Sequence, residues 1–422
     1  MMAIGIICIV YIIACLTNKF NPSILAIIAC IFITIFDDYT MADMMSGFTN
    51  DVILIVFGTD IFAVAFIRSG IVDLISRALL KISNNNERRL ILLISIFSAA
   101  ISSMLNNQVV SVIVIVICFS IARENRNMKL MNMTLPAVLA SIIGGQLTLI
   151  GAPATLIASS MLETSIGQGF SMFEFTLLVM PALVFSLLFI HFKGYKIGEG
   201  LWDDREQRID NYEIVSKLPD TKGKRKDMQV TVLAAVVMLF LFFSHLTSVG
   251  VAALIGGLIC VLGGAVSCKD AYRNVTWDII IWLACNISLV TALQNSGVVE
   301  YALKWLLGKT TWDVPFILIV VVIALVTLVI SNFIANTTTV IIMIPIAISV
   351  ADIYGANANA IAVLVCMMAG LAFLTPLSSG FLAMTMKAGY TYSDYFRYGL
   401  PLELICVVII TILIPVFYGP YI

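Results

Sequence analysis

Two clusters of neutral polar side chains interrupt long apolar runs: Asn106, Asn107 and Gln108 in SSMLNNQVVSVIVIVI, and Asn336, Thr337, Thr338 and Thr339 in SNFIANTTTVIIMIPI. Carboxamides and hydroxyls donate and accept hydrogen bonds but carry no charge at neutral pH, so they suit binding rather than proton transfer. Neighbouring backbone adds to them. A helix N-terminus presents partial positive charge to an anion, while loop carbonyls and side-chain oxygens suit a small cation such as sodium. A lone asparagine in a membrane helix ordinarily bonds to the next helix. Two matched clusters point to a ligand instead, and the two runs align at an offset of 229, with Asn107 on Asn336.

Each polar run is followed by an interrupted apolar stretch. In LASIIGGQLTLIGAPATLIASSML, Gly144-Gly145 and Gly151-Ala152-Pro153 fall in mid-length, and glycine allows close approach while proline removes a helical hydrogen bond. An unwound segment is expected from Gly144 to Thr155. The later counterpart, MMAGLAFLTPLSSGFLAMTMKAGY, carries Gly370, Thr375, Pro376, Ser378, Ser379 and Gly380. Asp60, in VFGTDIFAVAF, is the charged residue that stands out within a span, where a carboxylate is costly unless paired or wetted. It can carry a proton, help hold a cation or sit in a hydrated crevice. Glu403 is expected at the interface, and His191 and His245 at helix ends.

These residues need elements to position them, and composition says which. Of 422 residues 61% are hydrophobic and 12% charged, far too little polar surface for a water-soluble domain. Apolar stretches of about 17–25 residues fit helices crossing a bilayer, and strict alternation is rare, which sets aside a β-barrel. The segment Met1 to Leu16 lacks a basic start and a small-residue cleavage site and is expected to be a retained helix. The scattered cysteines show neither metal spacing nor a disulfide framework. With a net charge of -1 and no basic patch, nucleic acid is excluded. No nucleophile–base pair, metal cluster or phosphate loop supports an enzyme, and no cofactor is expected beyond a coupling ion.

The polar stretch Lys193 to Gln229 divides the chain into a first half (1–193), a linker (194–228) and a second half (229–422). Asp51 and Ser69-Gly70 recur as Asp278 and Ser296-Gly297 at an offset of 227. The polar stretch Lys193 to Gln229 holds nine basic residues and marks the cytoplasmic side. Arg88-Arg89 precede the first double-length run and Arg123, Arg126 and Lys129 follow it, so both its ends are cytoplasmic. A segment of this kind enters and returns, a re-entrant hairpin at 89–122 turning near Asn106-Asn107. The second, at 312–350, is flanked by Asp313 and Asp352 and dips in from the opposite side, turning near Asn336. The expected fold is all-α: about 10 transmembrane helices in two inverted repeats with two hairpins and broken helices. Both termini fall outside, in a multi-pass protein of the cell membrane.

GGQLTLIGAPATL resembles the GGxxTLIGTPxN stretch of the divalent-anion/sodium symporter family, within the wider ion-transporter superfamily. LNNQVV and IANTTTV look like its paired Ser-Asn-Thr tips, and TPLSSGFLAMTMKAGYTYSDYFRYG resembles its closing segment. The resemblance covers essentially the whole chain. It implies a homodimer whose protomers each move a transport domain like an elevator, carrying a small divalent organic anion, a di- or tricarboxylate, with sodium. Ser102, Asn106, Asn107 and Gly151 would form one sodium site, and Ser331, Asn336, Thr375 and Pro376 the other. Asn106, Asn107, Gln108, Asn336, Thr337 and Thr338, with Thr155, Ser378 and Ser379, would face the substrate. Asn-Asn-Gln replaces the first Ser-Asn-Thr and Ala335 replaces a serine, and the larger Gln108 is expected to reshape the pocket for a smaller or less charged anion. The alternative within the superfamily is a proton-coupled antiporter or an anion or metalloid efflux permease, with Asp60 as the proton carrier.

Overall fold

The computed structural model describes residues 2–16, 21–125, 128–202, 225–244, 246–296, 316–376, 378–379, 382 and 385–418. Among these residues every regular element is helical. The first half comprises α1 (Met2–Leu16), α2 (Pro22–Phe36), α3 (Met41–Met45), α4 (Asp51–Arg68), α5 (Ile71–Ser83), α6 (Glu87–Ser102), α7 (Asn107–Glu124), α8 (Leu130–Gly145), α9 (Pro153–Ile166) and α10 (Thr176–Phe189). A π turn (Ile190–Gly194) joins α10 to α11 (Tyr195–Trp202). The second half comprises α12 (Arg225–Ser244), α13 (Val249–Leu262), α14 (Cys268–Asn274), α15 (Trp277–Asn295), α16 (Phe316–Phe333), α17 (Asn336–Tyr354), α18 (Ala358–Gly370) and α19 (Tyr392–Tyr418).

Among the described residues four helices are long and apolar enough to cross a membrane alone: Thr176–Trp202, Phe316–Phe333, Asn336–Tyr354 and Tyr392–Tyr418. Shorter apolar helices such as Leu130–Gly145 and Ala358–Gly370 are pieces of interrupted stretches, which is why fewer full-length spans appear than about ten. One face of α16 exposes Ile317, Leu318, Val322, Leu325 and Val329, a surface suited to lipid. The chain is a multi-pass membrane protein.

The halves interlock. α4 lies along α13 so closely that a methyl on Gly58 would sit 2.4 Å from the Ala253 backbone. Asp51 accepts from Ser248 Oγ (2.6 Å) and Gly250 N (2.8 Å), at the start of α13. The repeat partner Asp278 accepts from Ser23 Oγ (3.4 Å), at the start of α2. A short polar side chain at a helix start thus ties each half to the other, and Ile33 of α2 shares a core with Cys285 and Leu289 of α15.

Both double-length runs fold back. α6 and α7 turn over residues 103–106, and their far ends are joined by Lys129 N donating to Glu87 Oε1 (2.7 Å). α16 and α17 turn at 334–335, and the rings of Phe316 and Tyr354 at their far ends lie 5.1 Å apart. The first pair of ends meets the C-terminal end of α10 and its π turn, through Arg88 Nε donating to His191 O (2.6 Å). The second lies by the N-terminal end of α10: Asn357 Nδ2 donates to Tyr418 O (3.0 Å), and Tyr418 Oη to Glu174 Oε1 (3.2 Å). Each hairpin extends slightly beyond the expected bounds, to Glu87–Glu124 and to Tyr354, while 312–315, and with them Asp313, fall outside the described residues.

The expected linker is partly helical. The helix continues through Gly194 to Trp202, because the buried indole packs edge-on against Tyr390 (ring centroids 5.2 Å apart) and tilted against Tyr398 (5.4 Å) and anchors that last turn. Residues 203–224 of the linker lie outside the described residues.

Candidate functional site

In the first half, Ser102 Oγ donates to Asn107 Oδ1 (2.9 Å), crossing the hairpin from the last residue of α6 to the first of α7. The Asn107 amide N–H donates to Gly151 O (2.9 Å), fastening the tip to the broken segment. Two glycines make this approach possible. A methyl on Gly145 would lie 1.7 Å from Asn107 Oδ1, and one on Gly151 would lie 2.3 Å from Gly145 O and 2.6 Å from Ser102 O. The unwound segment is 146–152, two residues shorter at its start and three at its end than expected, because Pro153 opens α9 where its missing N–H leaves nothing unpaired. Buried Thr155 Oγ1 faces the carbonyls of Leu149 (2.9 Å) and Ala152 (2.6 Å), six and three residues back.

The second half repeats this construction. The Asn336 carboxamide faces acceptors, so its Nδ2 is placed to donate to Ser331 Oγ (3.0 Å), Ser378 O (3.0 Å) and Ala369 O (3.3 Å). Ser331 Oγ donates to Ala369 O (2.7 Å). Ser378 Oγ faces Ala372 O (3.0 Å) and Thr375 O (3.1 Å), again six and three residues back. In both halves a threonine of the broken segment donates to the carbonyl following the hairpin serine, Thr148 to Ser103 (2.5 Å) and Thr375 to Asn332. Thr337 is half-buried, while Thr338, Pro376 and Asn106 are buried. Gln108 is the second residue of α7, with its side chain outside the described set, and Gly380 lies outside it altogether.

The two half-sites touch. α8 ends at Gly145 and α18 at Gly370, and a methyl on Gly370 would lie 2.1 Å from Gln146 Nε2. A line of contacts therefore runs from Asn107 through Gly145, Gln146 and Gly370 to Ala369 and Asn336. Gln146 is buried, and its Oε1 finds no hydrogen-bond partner among the described residues; Ser379 Oγ in the other broken segment is likewise unpartnered. Buried oxygens left open in both broken segments are what a bound ion or polar ligand satisfies. Sequence reasoning singled out Ser379 but passed over Gln146, although it is the one long polar side chain in GGQLTL.

Two acidic residues are buried as well, Glu403 and Asp60. Glu403 is buried, not interfacial: Oε1 accepts from Asn332 Nδ2 (3.0 Å) and Oε2 from Phe373 N (2.8 Å). The unpaired amides of the broken segment offset its burial, a compensation invisible along the chain. Asp60 Oδ2 accepts from Thr276 N (2.9 Å) and Oγ1 (2.5 Å) at the start of α15, and its Oδ1 has no partner among the described residues. Among the described residues it makes no hydrogen bond with the tips. His191 lies in the π turn, and His245 is outside the described residues. A cavity of about 520 Å³, lined by Asn50, Asp51, Ser160 and Glu163, reaches Leu149 of the first broken segment.

Interlocked helical halves, paired hairpins and two broken segments meeting at a buried polar junction define a membrane transporter. The chain belongs to the citrate transporter (CitMHS) family, whose profile matches residues 11–370. This agrees with the resemblance of its motifs to the divalent-anion/sodium symporters. An uncharacterized transporter of Escherichia coli, YfbS, is 31% identical over 44% of this chain and 31% of its own length. A probable sodium/sulfate cotransporter of Chlamydomonas reinhardtii is 26% identical over 47% of this chain and 23% of its own. The chain thus matches about a third or less of these relatives' lengths. The YdaH transporter of Alcanivorax borkumensis shares the fold, with a TM-score of 0.58, 13% identity and coverage of 89% of this chain and 87% of that one.

Proposed function

We propose that this protein is a secondary active transporter that takes up a small divalent organic anion, a di- or tricarboxylate, with sodium. One observation carries the proposal: each tip asparagine is clasped to the broken segment of its own half, and the two segments meet at Gln146 and Gly370. The N-termini of α7, α9 and α17 supply partial positive charge for carboxylates. Carbonyls at the ends of α8 and α18, with Ser102, Asn106, Asn107, Gly151, Ser331, Asn336, Thr375 and Pro376, supply a neutral oxygen-rich setting for sodium. Thr155 and Ser378 act by holding the unwound segments in shape, while Gln108, Thr337, Thr338 and Ser379 complete the substrate side.

The halves are proposed to be inverted in the membrane, an arrangement supported by the two hairpins' ends lying at opposite ends of α10. The transport domain moves as an elevator within a homodimer, with both termini outside the cell. A probable sodium/sulfate cotransporter among the relatives supports the coupling ion. The test is thermal stability and counterflow in proteoliposomes with citrate, succinate, malate and sulfate, with and without sodium. A ligand bound only by the folded site raises apparent stability by mass action. No signal from any anion under a sodium or a proton gradient would overturn the proposal.

The open Oδ1 of buried Asp60 favours one second reading, a proton-coupled antiporter or efflux permease. In that case Asp60→Asn abolishes proton-driven flux.

A further inference from the structure

Three neutral groups and one carboxylate lock the second broken segment to its hairpin. Asn332, the residue after the hairpin's Ser331, accepts from Leu374 N at Oδ1 (2.8 Å) and donates from Nδ2 to Glu403 Oε1 (3.0 Å) and Leu328 O (3.1 Å). Glu403 Oε2 accepts from Phe373 N (2.8 Å), so the carboxylate bridges α19, α16 and the unwound backbone at once. In the first half the corresponding hydroxyl, that of Ser103 after Ser102, donates within its own turn to Ala100 O (2.8 Å) and, among the described residues, bonds to no carboxylate. α19 packs tightly here, since a methyl on Gly399 would lie 2.6 Å from Phe373 O.

We propose that Glu403 is a positioning residue whose ionised carboxylate holds the second broken segment, and through Asn332 the second tip, so that protons loosen one half-site and not the other. The inference extends the proposed ligand site, but it concerns the segment itself and is testable without ligand. A carboxylate only accepts hydrogen bonds, whereas a carboxylic acid has one oxygen that donates. Both of Glu403's partners are N–H donors. Protonation removes the negative charge on which both bonds rely and makes one oxygen a donor and a poor acceptor, which loosens the bond from Asn332 or from the Phe373 amide. Few other groups can answer for such a titration. α10 and α16 carry no titratable side chain, and α18 contributes only Cys366. α11 brings Tyr195, Lys196 and Glu199, and α19 itself has Arg397 and Tyr398 before Glu403 and Cys406 one turn on, its Sγ 3.3 Å from Ser186 Oγ. Among the described residues none of these forms a hydrogen bond or ion pair with Glu403.

The experiment is hydrogen–deuterium exchange of the full-length protein in detergent from pH 5 to pH 8.5, corrected for intrinsic exchange, comparing peptides that cover 371–376 and 146–152. Local opening of a segment lowers its protection independently of global unfolding. In the wild type, protection at 371–376 falls about tenfold relative to 146–152 as the pH drops, the scale of one lost hydrogen bond. In Glu403→Gln, which can satisfy one N–H donor but opposes the other, it is low and independent of pH. A constant ratio between the two segments across the range in the wild type overturns the inference, even if the variant does not fold. So does a pH dependence that persists in Glu403→Gln. Both outcomes leave the transport proposal standing, since neither measurement involves an anion.

Discussion

Gly145→Ala tests the clasp at the first tip with one methyl group. That methyl would lie 1.7 Å from Asn107 Oδ1 and 2.5 Å from its Cγ, where non-bonded contact requires about 3.5 Å. The carboxamide must therefore retreat by roughly 1–2 Å, which breaks its 2.9 Å bond from Ser102 Oγ. Losing that buried bond costs about 1–3 kcal/mol, while alanine at the end of α8 returns about 0.5–1 kcal/mol of backbone entropy. Global stability should fall by only about 0–2 kcal/mol. The ligand loses more. A hydrogen bond from a carboxamide to an anion is worth about 1.5–3 kcal/mol, so apparent affinity should weaken about tenfold to a hundredfold. The assay is a thermal-shift titration with whichever of the four anions stabilises the wild type, paired with counterflow of the same anion. An affinity within about twofold of wild type, with the variant folded, would refute the placement of Asn107 at the ligand.

Other perturbations separate holding roles from binding roles. Thr155→Val and Ser378→Ala each remove a hydroxyl that faces two loop carbonyls and should lower stability by about 1 kcal/mol in denaturant titration, alike in the two halves. Ser331→Ala, which leaves Asn336 without its serine partner, should raise the sodium concentration needed for half-maximal uptake several-fold, measured by isotope uptake against sodium. Asp60→Asn should keep sodium-driven uptake, because the symport proposal gives that carboxylate no role at the tips. On the surface, the Arg68 guanidinium (2.5 Å) and then Ser267 hold the Asp270 carboxyl down at about 2, below its ordinary 3.8. A carboxylate with a depressed value stabilises the fold above its unfolded value and loses that contribution as pH falls through the folded one. The thermal midpoint of Asp270→Asn should therefore lie below wild type near pH 6, with the gap closing between about pH 4 and pH 2.

The parts of this molecule legible in its sequence are those fixed by local pattern. Hydrophobic length marks the helices, basic flanks mark where a double-length run starts and ends, and glycine with proline marks where a helix must break. Asn107, Asn336, Thr155 and Ser378 were found that way, because each repeats at a matching place in the other half. Gln146, Asn332 and Glu403 were not, and the reason is physical. Gln146 matters because Gly370, over two hundred residues away, leaves room for its carboxamide. Glu403 is tolerable in the interior because unwinding at Phe373 and Leu374 exposes backbone amides in need of acceptors. Neither condition has a period or a spacing. The repeat even conceals them, since both features are absent from the opposite half: Leu371 follows Gly370 where Gln146 follows Gly145, and Ser103 stands where Asn332 does. Duplication builds two equivalent frames, and the departures from equivalence are where a site acquires direction. On the proposed reading, an anion at the junction would meet the Gln146 carboxamide from one half and the segment held by Glu403 from the other, so the two tips need not release it under the same conditions.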